Sequence, residues 1–150
     1  MPETNSRNET DRILLEVVTP TKVELRKEVD YVVAPTIQGM IGIMPRHIRL
    51  MTILDTGVLR YKINDENFYM AVSEGYMEVT PHKVIVLAEA AELAEHIDVE
   101  QALAEKRQAE AELYRPMAEK ISFARAQVNL QWALTKLQVA KKHHDFKGNK

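Results

Sequence analysis

Apolar and polar residues alternate one by one through the first half of the chain and recur every three or four residues through the second. "LLEVVT" runs to Pro20, "KVELRKEVDYVVAP" runs to Pro35, and "GVLRYKI" meets "NFYMAV" through Asn64, Asp65 and Glu66. "GYMEVT" likewise meets "KVIVLA" through Pro81 and His82. Leu59, Tyr61 and Ile63 fall on one side of their segment, and Val58, Arg60 and Lys62 on the other, as in an antiparallel strand with one buried face. Eight or more such strands in about 75 residues leave edges and apolar faces that must be covered, which predicts a sandwich or flattened barrel.

The period changes at Asp98. Its carboxylate can cap the free amides of a first helical turn, and Gln101 is placed to reach back as a capping box. Ala102, Leu103, Ala109 and Leu113 then share one face, interrupted by Lys106. Pro116 lacks a backbone donor and clashes with the preceding turn, so the first helix should end near Tyr114 and Pro116 can open a second. In that second helix Phe123, Ala126, Leu130, Ala133, Leu134, Leu137 and Ala140 form a seam for a neighbouring helix. A short link predicts an antiparallel hairpin. Ile121, Ala124, Val128, Trp132 and Val139 make a second, partly apolar face that one partner helix cannot cover.

Composition agrees with this division. Valine and isoleucine crowd Ile13 to Val86, whereas alanine is concentrated from Ala88 onward. The expected organisation is α+β: a lead at 1–12, an all-β sandwich of about ten strands at 13–90, a linker at 91–97, a two-helix hairpin at 98–142 and a tail at 143–150. The chain has 150 residues, 22 acidic against 20 basic, so no strong field draws it to nucleic acid or anionic lipid. Cysteine is absent, which excludes disulfides and thiolate chemistry. The polar start "MPETNSRNETDR" has no apolar core of a signal peptide, and no apolar stretch approaches the roughly 20 residues of a membrane-spanning helix.

The stretch with the most chemical content is "GMIGIMPRHIRL". A phosphate loop would need a helix and a lysine after its glycines, but Gly42 is followed by Ile43, Met44 and Pro45. His47 has only Arg46 and Arg49 beside it and reads as a hydrogen-bonded corner histidine, not a general base. His143 and His144 suit a cationic helix end. Glu74 and Glu78 flank a glycine without a partner pocket. No catalytic residue and no metal site is expected. On the residues alone, this is a non-enzymatic β-module with a helical appendage that binds other proteins.

"GMIGIMPRHIRLMTILDTGVLRYKI", "SEGYMEVTPHKVIVLAEAAE" and "HIDVEQALAEKRQAEAEL" resemble the ε subunit family of bacterial and chloroplast F-type ATP synthases, in order and spacing from about Leu14 to Ala140. The resemblance implies a ten-stranded sandwich and a helical hairpin on the rotating central stalk, at the cytoplasmic face of the cell membrane, held there through the complex. It implies as partners the γ subunit, the c-ring and the αβ catalytic head, with Gly39, Met40, Ile41, Gly42, Pro45, Arg46, His47 and Arg49 as contact candidates. It further implies that the hairpin either folds on the sandwich or extends along γ and blocks ATP hydrolysis, with Asp98, Gln101, Pro116, Arg125 and Trp132 as regulatory candidates. ATP-binding relatives carry I/L-D-x-x-R-A and further arginines in helix two. Here "IDVEQA" has Gln101 in the arginine's place, and Trp132 stands where another arginine is expected, although Arg125 is retained. An amide cannot make the charged, forked contact of guanidinium, so regulatory ATP binding is expected to be weak or absent. A free-standing scaffold or adaptor is the alternative reading.

Overall fold

The computed structural model describes residues 11–115 and 120–148. Ten strands precede two helices. They are β1 (Ile13–Val18), β2 (Val23–Val29), β3 (Tyr31–Thr36), β4 (Gly39–Ile43), β5 (Leu50–Leu54), β6 (Gly57–Ile63), β7 (Glu66–Val72), β8 (Gly75–Val79), β9 (Lys83–Ala88) and β10 (Ala91–Leu93). A 3₁₀ turn at Ala94–His96 leads into α1 (Val99–Leu113), and α2 spans Lys120–Gly148.

The strands form one continuous sheet in the order β10-β7-β6-β3-β5-β8-β9-β1-β2, with β4 added to β3. Where β3 hands over from β6 to β5, Thr36 pairs with Leu54, and the sheet folds over itself into a sandwich. All pairings are antiparallel except β1 with β9. Alternation decides the core: Ile13, Leu15 and Val17 of β1 meet Leu59 and Tyr61 of β6, Met77 and Val79 of β8, and Val84 and Val86 of β9 in one buried cluster.

The turns obey local chemistry. Asn64 and Asp65 have φ of 50° and 66°, so the β6–β7 hairpin closes on two residues that tolerate the left-handed region. The Asp30 carboxylate accepts from the Asn64 amide at 2.8 Å and from Arg12 at 3.2 Å, which fixes that end of the sandwich.

The helices agree with the periodicity, with differences at their ends. Asp98 caps α1 by accepting from the Gln101 amide at 3.1 Å, and α1 closes at Tyr114. The Gln101 side chain does not complete a capping box; it donates to Glu105 one turn on. The segment at 91–97 is not a bare linker, because Ala91–Leu93 pairs with Met70–Val72 of β7 as a tenth strand. Nor does the hairpin stop at 142, since α2 continues through His143 and His144 to Gly148. Pro116 lies outside the described residues.

Candidate functional site

The glycine-rich stretch is split by the fold. Gly39 turns the chain at the β3–β4 corner with φ +106°, a conformation that favours glycine. There the Thr36 hydroxyl donates to the Gly39 carbonyl at 2.6 Å and accepts from the Gln38 amide at 3.2 Å. Met40, beside this corner, is exposed, Ile41 is half-buried, and Ile43 enters the core. Gly42 uses neither freedom that glycine offers: its φ is not positive, and a Cβ there would meet nothing within 4 Å.

Pro45, Arg46, His47 and Arg49 lie beyond the other end of β4, about 13 Å along the strand from Gly39. Arg46 takes φ of 65°, its amide donates to the Pro81 carbonyl at 2.8 Å, and its guanidinium meets Asp11 at 3.1 Å. His47 places Nδ1 2.7 Å from the Ile48 carbonyl oxygen, within the loop that precedes β5. Arg49 is exposed. The eight contact candidates therefore make two surfaces, one at each end of the sandwich.

A third surface escaped the motif reading. Ile53 pairs with Tyr76, Tyr76 with Leu87, Leu87 with Val18, and Val18 with Val23, a row across five strands. Ile53, Tyr76, Leu87 and Val23 are exposed, and Met51 extends the patch along β5. The signal was in "KVIVLA", where both alternating faces are apolar: Val84 and Val86 point into the core, leaving Ile85 and Leu87 outside. A strand apolar on both faces at the outside of an antiparallel sandwich marks an interaction surface.

The hairpin is docked on the opposite layer. Ala102 and Ala109 of α1, and Ala126 and Ala133 of α2, are buried, small residues that let the helices approach closely. Only the C-terminal part of the second face of α2 packs on the sandwich: Val139 and Trp132 join Ala71, Tyr69 and Val58 of the sheet, with Ala94 and Ile97 from the connection, whereas Ala124 is exposed. Phe123 and Leu134, expected in the seam, are exposed instead, as is Val128.

Trp132 also borders an open groove of about 430 Å³ between the β1–β2 turn, the 89–93 segment and α2. Lys136 reaches this groove while only 7% exposed, pairing with Glu105 of α1 and Glu92 of β10. Periodicity did not single it out, because an interior lysine is visible only once its carboxylate partners are placed. The regulatory candidates are not gathered into one pocket. Asp98 and Gln101 sit at the start of α1, whereas the exposed Arg125 lies about 16 Å along α2 from Lys136, toward the interhelical connection. Deep in the sandwich, Tyr61 stacks on Phe68 at 5.3 Å. Burial, and secondarily the charge of Glu95, push its hydroxyl up to about 12.

Comparison with known proteins accounts for both halves. Residues 12–94 match the family model of the ATP synthase Delta/Epsilon chain beta-sandwich domain, and residues 95–141 that of the Delta/Epsilon chain long alpha-helix domain. The ATP synthase epsilon chain of Nitratidesulfovibrio vulgaris (strain DP4) is 46% identical over 125 residues, covering 83% of this chain and 92% of that one. That of Dehalococcoides mccartyi (strain ATCC BAA-2100 / JCM 16839 / KCTC 5957 / BAV1) is 40% identical over 131 residues, covering 87% and 94%. The fold matches a chain in the Euglena gracilis mitochondrial ATP synthase OSCP/F1/c-ring structure with a TM-score of 0.73 at 20% identity, covering 87% of this chain and 81% of that one. With both modules matched and relatives this similar along nearly their whole length, the chain belongs to the ATP synthase delta/epsilon family, as an epsilon-type, non-catalytic subunit of the rotary complex.

Proposed function

We propose that the sandwich links the γ subunit to the c-ring, and that the hairpin leaves its dock to extend along γ into the αβ head, where it blocks ATP hydrolysis. The observation that carries this reading is the separation of surfaces. The hairpin covers the β6–β7 layer, while the exposed row Ile53–Tyr76–Leu87 crosses the other layer. A subunit joining a stalk to a ring needs two independent contacts, and one that also switches needs a third element held by a modest contact. The broad apolar row suits a lasting seat on γ. The narrow, uncharged corner at Gln38, Gly39 and Met40 suits insertion among the loops of the c-ring. Arg46, His47 and Arg49, at the far end, belong with the γ contact. In this reading the chain works at the cytoplasmic face of the membrane, bound through the complex.

Removal of residues 98–150 tests the proposal: the shortened subunit should still co-purify from membranes with γ and the αβ head, and ATP hydrolysis should rise. Unchanged hydrolysis would leave only the linking role, and loss of co-purification would overturn the placement. Regulatory ATP binding is weak or absent in this reading; a saturable change in Trp132 fluorescence with submillimolar ATP would refute that part.

A further inference from the structure

We propose that Lys136 is a charge-dependent pin: its ammonium, held between Glu92 of the sandwich and Glu105 of α1, determines how tightly the hairpin is docked, and neutralising those carboxylates releases it. Lys136 Nζ lies 2.5 Å from Glu105 Oε2, 3.9 Å from Glu92 Oε2 and 5.7 Å from the Trp132 ring centroid. The other Glu105 oxygen accepts from Gln101 Nε2 at 3.2 Å, so the residue standing in the family arginine's place orients the carboxylate instead of competing for it. An arginine there would bring a second cation to Glu105.

The pin is asymmetric. The Lys136 side chain is 8% exposed, whereas those of Glu105 and Glu92 are 35% and 40% exposed. If the cation is removed, both carboxylates can turn to water. If the carboxylates are neutralised, the ammonium loses both of its ion-pair partners while still largely buried in the dock, and it regains full hydration when α2 lifts away. The other titratable groups at this groove are Glu89, His96 and the Lys22–Glu24 pair, closed on itself at 3.5 Å. Besides this pin, α2 is held to the sandwich by the small apolar cluster around Val139 and by Lys142 Nζ, 5.8 Å from the Tyr69 ring centroid, so stranding the Lys136 charge shifts a modest balance.

Hydrogen exchange on the full chain tests the pin. The pair Glu92→Gln with Glu105→Gln should speed exchange of the amides of residues 132–140 by about tenfold or more, with the β8 and β9 amides unchanged. Adding Lys136→Met should return the rate to within about threefold of the original, because no buried cation is left. Glu105→Gln alone should move the rate in the same direction as the pair. The pin is overturned if the pair exchanges at the original rate, or if Lys136→Met fails to restore it. The consequence for catalysis rests on the switching role proposed above: in the assembled complex the pair should lower ATP hydrolysis. Faster exchange with unchanged hydrolysis would sink that role and leave the pin standing.

Discussion

Replacing Gly75 by alanine should destabilise the sandwich more than any other glycine substitution. Gly75 opens β8 opposite Ala88, and a Cβ built there lies 1.9 Å from the Leu87 carbonyl oxygen, 2.9 Å from its carbon and 3.0 Å from Ala88 Cα. These are backbone atoms of the adjacent strand, so no side chain can swing aside. Ordinary contact requires β8 and β9 to part by more than about 1 Å, which breaks the ladder between strands normally about 4.8 Å apart. Two weakened ladder hydrogen bonds at about 1 kcal/mol each, plus the strain of overpacking, give a loss of about 3 kcal/mol. For a chain of this size that corresponds to a fall of about 6–12 °C in Tm. Urea unfolding followed by the far-UV signal of the sheet measures the loss. Gly42→Ala is the matched control, since nothing lies within 4 Å of its Cβ position. Equal midpoints for the two variants would refute the reasoning.

Three further outcomes follow from particular residues. Tyr61 is protonated in folded and unfolded chain below about pH 10, where its contribution is fully present; above that, the unfolded chain ionises first, and up to about 3 kcal/mol of stability is lost as pH rises to about 12. Tyr61→Phe should lack that component of the alkaline loss in a denaturation series. Val139→Ala should weaken the dock by about 2 kcal/mol and shift Trp132 emission to the red, with the sheet signal preserved; unchanged emission would contradict its place in the cluster. Arg46→Ala breaks only an exposed pair with Asp11 and should cost less than about 1 kcal/mol in isolation, so weakened assembly with unchanged stability would locate a partner contact there.

Much of the architecture was legible because it rests on local rules. Alternation in "GVLRYKI" placed Leu59 and Tyr61 inside, and Asp98 marked a helix start that its carboxylate does cap. The count of about ten strands agrees, but Ala91–Leu93 was read as linker because it is too short for a period to show and its pairing with β7 is a tertiary event. The regulatory residues were named one by one from a family pattern, yet their neighbours come from distant segments. Gln101 serves Glu105, and Glu105 serves Lys136 across the hairpin.

By itself, the sequence determined two modules, their order and the faces they bury, since periodicity and capping act over a few residues. The glycine stretch read as one corner, and only the folded sheet separated Gly39 from Arg46 by the length of β4. It likewise took register to turn Ile53, Tyr76 and Leu87 into one patch, because residues far apart in the chain become neighbours only through strand pairing. The helical faces were readable, but which of them meets the sandwich was settled by the competition between a seam centred on buried alanines and a docking site built around Val139 and a buried lysine.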